Sequence, residues 1–152
     1  METFTVKDIM KLKPCSSYTK EVVSKLWNNK PSLSLDEILN LNIKLYDRLW
    51  ILAELVSTEI LPNWANYCAN KARIQAKIES TSTSSAIKAH SLDAARYATA
   101  SAKDTIRYAP INHKQAAEAA KWTARYTANA NWNDTNKELE RLLQKLIEMT
   151  KE

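Results

Sequence analysis

The sequence has no glycine at all among its 152 residues. Strand-rich folds depend on glycine for primed hairpin turns, bulges and tight corners. A chain without it is more easily helical, with asparagine taking the left-handed positions at helix ends. The same absence removes the phosphate-cradling loop, the dinucleotide fingerprint and the nucleophile elbow, all of which need glycine at fixed positions. Cysteine is scarce. Cys15 and Cys68 make no disulfide framework and no Cys-x-x-Cys motif, and both are expected as reduced, half-buried thiols of a cytosolic protein. The two histidines, His90 and His113, have no second His, Cys or carboxylate at metal-site spacing. A thiol–imidazole pair between Cys68 and either histidine has only residue type behind it. The paired carboxylates Asp36-Glu37 fall in the first turn of a helix, where the helix dipole accounts for them. No enzyme activity, cofactor or metal is therefore expected. Long apolar runs are missing too. The opening Met1–Asp8 has no signal-peptide core, and Leu49–Ala53 with Leu55-Val56 is far short of the roughly 20 residues that span a bilayer. These features lead to an expectation of a cytoplasmic protein with no membrane partner.

Apolar residues make up 45% and charged residues 26%, which suits one globular domain with a core that needs no staples. The formal net charge of +5 is spread in alternating stretches, with no basic tail. Residues 1–30 and 64–133 are basic, residues 31–63 are acidic, and the C-terminal segment is nearly balanced. An acidic partner is permitted by this distribution and not demanded by it.

Residues 1–79 read as mixed apolar helices. Lys13-Pro14 ends a first piece, because proline pushes its predecessor out of the helical region. Ser16 or Ser17 is the expected cap of the next, which carries Val22, Val23, Leu26 and Trp27 and stops at Asn28–Pro31. Ser34-Leu-Asp-Glu37 forms a capping box ahead of Ile38, Leu39, Leu41 and Leu45. From Asp47 the pattern predicts a helix buried on most sides, and Pro62 marks a kink or restart. Residues 80–85, a Ser/Thr run, predict a connecting loop.

Residues 86–152 form an alanine-rich half ending in a leucine-striped helix. Residues 86–130 contain 15 alanines, whereas 1–52 and 131–152 contain none. Alanine is the best helix former and lets helix axes approach closely. Larger side chains, namely the tyrosines, Trp122 and Ile106, are expected to fix the register of such a seam. Pro110 divides the region and Asn112 caps its second part. Thr135-Asn-Lys-Glu138 predicts a second capping box, followed by Leu139, Leu142, Leu143, Leu146 and Ile147 on one stripe. The fold class expected is all-α, a compact bundle of about six to seven helices.

Within the alanine region Asp93-Ala-Ala-Arg96-Tyr97-Ala98 returns 11 residues later as Asp104-Thr-Ile-Arg107-Tyr108-Ala109. A looser copy, Ala124-Arg125-Tyr126-Thr127, follows Pro110. Eleven residues are close to three helical turns, so the counterparts stack on one face. Two readings stay open. In one, the tyrosines insert between helices while Arg and Asp pair at the edge. In the other, Arg96, Tyr97, Arg107, Tyr108, Trp122, Arg125 and Tyr126 present a polar-aromatic face to a partner.

Leu12-Lys-Pro-Cys15, Asp47-Arg-Leu-Trp50-Ile-Leu52 and Asn66-Tyr-Cys68-Ala-Asn-Lys-Ala72, followed by alanine-rich helices punctuated with Arg, Tyr and Trp, carry a family likeness. Over roughly residues 10–147 the chain resembles a family of alanine-rich helical immunity proteins of phages, prophages and bacteria. It departs from that pattern in having fewer alanines, no glycine, and Pro110 in its second half. The resemblance implies a phage- or prophage-associated protein that neutralises a host defence or toxin protein by direct binding, and it brings no site residues with it. Two alternatives stand beside it. Basic residues interleaved with Trp64, Tyr67, Tyr97, Tyr108, Trp122 and Tyr126 suit a nucleic-acid-binding module. The alanine seam and the Leu139–Ile147 stripe suit a self-assembling protein, a homodimer or higher oligomer.

Overall fold

The computed structural model describes residues 2–152. Eight helices appear among them, with one minimal strand pair. The chain runs β1 (Thr3–Phe4), α1 (Val6–Lys11), α2 (Lys20–Trp27), β2 (Leu33–Ser34), α3 (Leu35–Leu39) and α4 (Leu45–Leu55). The longer helices follow: α5 (Ile60–Glu79), α6 (Ser85–Tyr108), α7 (His113–Ala130) and α8 (Thr135–Thr150). The all-α expectation holds. The helix count exceeds the expected six to seven, and α3 contributes to this by closing at Asn40 without carrying Leu41 and Leu45.

The strand pair is the element that composition did not suggest. Thr3 faces Ser34 and Phe4 faces Leu33 in antiparallel register, and the Trp27 indole donates to the Phe4 carbonyl at 2.9 Å. No glycine turn is needed, because α1 and α2 lie between the strands. Three left-handed positions fall instead on Lys13 (φ 54°), Asn28 (φ 49°) and Asn29 (φ 65°). Asn28 ends α2 as its C-cap, as a glycine-free chain requires.

Helix starts follow the capping chemistry with two corrections. Ser34 and Glu37 form the predicted box, with Glu37 N–H donating to Ser34 Oγ at 3.2 Å and Ser34 N–H to Glu37 Oε1 at 3.1 Å. Thr5 and Asp8 form an equivalent box ahead of α1. Pro62 sits in the first turn of α5, where a missing N–H costs nothing, so it marks a restart. Ser84 and Asn112 cap α6 and α7. In α2, however, the cap is Thr19 and not Ser16 or Ser17, because Tyr18 N–H closes a turn onto the Cys15 carbonyl at 2.9 Å. The second predicted box is absent. Asp134 occupies the N-cap of α8, the Thr135 hydroxyl donates to the Asn131 carbonyl, and Glu138 accepts from Arg141 at 2.8 Å.

Two cores hold these elements together. The larger gathers Ile9, Val23, Trp27, Ile38, Leu49, Leu52, Leu61 and Trp64 against the α8 stripe of Leu139, Leu142, Leu143, Leu146 and Ile147. The buried Trp64 indole donates to the Leu142 carbonyl at 2.7 Å, tying α5 to α8. That stripe is fully buried inside its own chain, which leaves it no exposed face for a second copy. The smaller core is an alanine seam: Ala65, Ala69 and Ala72 of α5, Ala94, Ala95, Ala98 and Ala102 of α6, and Ala130 of α7. Tyr126 packs partly buried against it, whereas Tyr97, Ile106 and Trp122, also expected to fix its register, are exposed. Polar pins contribute as well: the Thr127 hydroxyl donates to the Cys68 carbonyl at 2.8 Å, and His90 Nε2 bonds the Asn129 carbonyl at 2.7 Å.

Two tests follow from this packing. Ala98→Leu forces three extra heavy atoms into a seam with no room for them, and is expected to cost about 1–3 kcal/mol in a urea titration. The same change at Ala100 is expected to be milder, because Ala100 is exposed on α6. The second test concerns acid. Asp8 is held below its ordinary value chiefly by the Thr5 backbone N–H, and Glu37 chiefly by the Lys30 ammonium with the Ser34 N–H. Lowered carboxylate values mean stabilisation that is present above the unfolded value and lost as pH falls through the folded one. The urea-midpoint deficits of Asp8→Asn and Glu37→Gln should therefore be present at about pH 6 and vanish near about pH 2.

Candidate interaction surface

α6 and α7 run antiparallel across the Pro110 turn, and alanines line their facing sides. Of the rings on these helices, Tyr97 and Trp122 are exposed, while Tyr126 packs partly buried against the alanine seam. They stack on one another. Tyr97 meets Tyr126 with centroids 5.2 Å apart and planes at 28°, and Trp122 meets Tyr126 at 5.6 Å and 29°. Each such pair contributes about 0.5–1.5 kcal/mol beyond its area. Arg125 continues the row. Its guanidinium lies 4.4 Å from the Trp122 centroid and 4.9 Å from that of Tyr46, which comes from α4. Tyr97, Trp122 and Tyr46 remain 57%, 40% and 45% exposed, so the row is a surface and not a core.

Beneath it, Lys121 fastens α7 to α4. Its ammonium is buried, 3.2 Å from Glu54 Oε1 and 2.8 Å from Glu118 Oε2, and lies 5.5 Å from the Trp50 centroid. His113 adds a second fastening, with Nδ1 2.6 Å from the Thr58 hydroxyl and Nε2 2.8 Å from the Glu54 carbonyl. Nε2–H therefore donates to the carbonyl, and Nδ1 shares the second hydrogen bond with the Thr58 hydroxyl.

The sequence-predicted face is thus divided. Tyr97, Trp122, Arg125 and Tyr126 come together. Arg96 stands beside them, 3.8 Å from Asp93 and open to solvent. Arg107 and Tyr108 lie about 16 Å further along α6, at a rise of about 1.5 Å per residue. The Arg107 guanidinium sits 5.0 Å over the Tyr108 ring, and that ring packs half-buried on the larger core. The tyrosines accordingly split between the two readings: Tyr108 packs partly buried on the larger core and Tyr126 on the alanine seam, while Tyr97 stays exposed. Tyr46, Trp50 and Lys121 complete the surface without having been singled out. The signal for the first two was their four-residue spacing on α4.

Tyr46 and Trp50 also wall a cavity of about 460 Å³ between α1, α2 and α4. Its lining is mostly apolar, with Tyr18 donating to Asp47 at one side. Burial, then that hydrogen bond, push the Tyr18 phenol up to about 12. A smaller notch of about 120 Å³ opens between Tyr46, Trp50, Lys121, Trp122 and Arg125. Among the described residues no group of three or more His, Cys, Asp and Glu is placed to hold a metal, and no helix is long and apolar enough to cross a membrane. No protein-family model, curated protein or solved structure matches the chain.

The cysteines differ from expectation in exposure. Both are free, but Cys15 is exposed and Cys68 is fully buried. Neither imidazole hydrogen-bonds a thiol among the described residues. Burial, then the charge of Glu138, push the Cys68 thiol well above its ordinary value. A chromogenic disulfide reagent at neutral pH should label Cys15 promptly and Cys68 only after denaturant is added. Prompt labelling of Cys68 in the Cys15→Ser variant would contradict this burial.

Proposed function

We propose that the protein is a non-enzymatic binding protein of immunity or inhibitor type. It neutralises a host defence or toxin protein by direct contact through the row Tyr97–Tyr126–Trp122–Arg125–Tyr46. The observation that carries this reading is a set of exposed rings already locked by stacking. Binding through flexible surface side chains loses about 0.5–1.5 kcal/mol for each one immobilised, and a pre-stacked row avoids most of that loss. Tyr, Trp and Arg are also the residue types that dominate binding hot spots. The neutralising direction comes from the family resemblance of residues 12–15, 47–52 and 66–72.

A nucleic-acid role is less well served by the same geometry. The central ring, Tyr126, is already stacked with both neighbours, whereas a base platform needs free ring faces. Lys121, the buried cation, is matched by two carboxylates and adds little to a phosphate track.

Affinity capture from nuclease-treated bacterial lysate tests the reading. The wild-type chain is expected to retain a defined protein that the Trp122→Ala/Tyr126→Ala variant retains at least tenfold less, with unchanged helical circular dichroism. Equal retention by the two chains, or salt-sensitive retention of nucleic acid in place of protein, overturns it.

A further inference from the structure

We infer that Arg125 is a carboxylate-recognising fork, and that the partner seats an Asp or Glu side chain, flanked by apolar residues, against it. This rests on the binding role proposed above and specifies the partner's chemistry at one point of the row.

The guanidinium of Arg125 lies over two rings from different helices, 4.4 Å from the centroid of Trp122 on α7 and 4.9 Å from that of Tyr46 on α4. Stacking occupies the faces of a planar guanidinium and leaves its in-plane N–H edges for hydrogen bonds. Among the described residues no group hydrogen-bonds those edges and no carboxylate lies within salt-bridge distance of Arg125, in contrast to Lys121, Arg141 and Arg96. Lys121, one turn earlier, is matched by Glu54 and Glu118. Arg141 is matched by Asp134 and Glu138, and Arg96 by Asp93. A half-buried, ring-stacked arginine without a counter-ion has the geometry of bidentate carboxylate recognition, with the ordering of its long side chain already done.

The surroundings favour a carboxylate on a protein over a phosphate on a nucleic acid. The notch of about 120 Å³ beside Arg125 holds roughly four waters at about 30 Å³ each, room for one carboxylate head. Glu118 lines the same notch and is taken up by Lys121, so the notch presents the single cation of Arg125 and no basic track. Nucleic acid gains affinity by neutralising several phosphates in sequence, and this row offers a single uncompensated cation. Tyr46 and Trp50 separate the notch from the apolar cavity of about 460 Å³, which places apolar side chains of the partner next to its acidic one.

The test follows the Arg125 Nε–Hε resonance in isotope-labelled protein titrated with acetyl-Leu-Glu-Leu-amide, its Gln counterpart, and oligothymidylate. The Glu peptide is expected to shift Arg125 Nε–Hε and the Trp122 indole N–H together, in a saturable way. The Gln peptide should bind at least tenfold more weakly. Arg125→Lys, which keeps the charge and loses the fork, should also bind the Glu peptide at least tenfold more weakly, with its amide spectrum otherwise retained. No shift, equal binding of the two peptides, unchanged binding by Arg125→Lys, or a tighter response to oligothymidylate overturns the inference. Lysate capture separates the two levels. A partner kept by Arg125→Lys but lost by Trp122→Ala/Tyr126→Ala removes the fork alone, and a partner kept by both removes the binding face.

Discussion

Contact of alanine against alanine between α5, α6 and α7 sets the distances on which the remaining structure depends. Helices meeting through Ala65, Ala69, Ala72, Ala94, Ala95, Ala98 and Ala102 approach to the near end of the usual spacing of about 8–10 Å. Each buried methyl contributes only about 0.8 kcal/mol, so the seam is weak per residue and depends on length and fit. Its larger consequence is the placement of the rings. Tyr97 and Trp122 lie on the outer side, where the next available surface is the ring of Tyr126, itself packed on the seam. The stack of Tyr97, Tyr126 and Trp122 is thus a by-product of how the seam closes, and its rigidity derives from the seam's rigidity.

How much of this was legible in the sequence depends on the range of the interaction involved. Local chemistry read well: the Ser34–Glu37 box, the Asn112 cap and a helix start beside Pro62 are decided within a few residues. The loop expected at residues 80–85 is shortened by Ser85, which already belongs to α6. The Leu139–Ile147 stripe read well because its period is local too. Failures arose where a distant or competing partner decided. Glu138 suits a box with Thr135, yet Arg141 and the buried environment claim its carboxylate. The repeat placed Arg96/Tyr97 and Arg107/Tyr108 on one helical face, but could not say that α4 and the larger core cover that face at one end only. Tyr46 entered the surface through a helix remote in sequence, a pairing that no spacing rule anticipates.

The absent glycine had an effect beyond favouring helices. Left-handed backbone costs an L-residue other than asparagine about 1–2 kcal/mol, and Lys13 adopts it directly before Pro14. That turn leads the chain from α1 along the mouth of the large cavity, which Lys13, Pro14 and Cys15 help to line. The strand pair and the Trp27–Phe4 hydrogen bond then hold the N-terminal third together, and Tyr18 donating to Asp47 ties it to α4. The wall shared by cavity and notch, Tyr46 and Trp50, is therefore braced from both sides: by α1 and α2 on one, by α7 on the other.

The brace on the α7 side is electrostatic, and this couples the site to the fold. Lys121 is buried against Glu54, and removing one member of such a pair typically costs about 3–5 kcal/mol because the other is left uncompensated. His113 joins the same Glu54 region through the backbone carbonyl. Arg125 depends on this arrangement, since its two rings belong to α4 and α7 and both lie against it only while those helices stay in register. A shift of α4 that leaves the alanine seam intact would still separate Tyr46 from Trp122 and release the guanidinium to solvent. The geometry of the row is thus governed by the Lys121–Glu54 fastening beneath it, and the seam alone does not guarantee it.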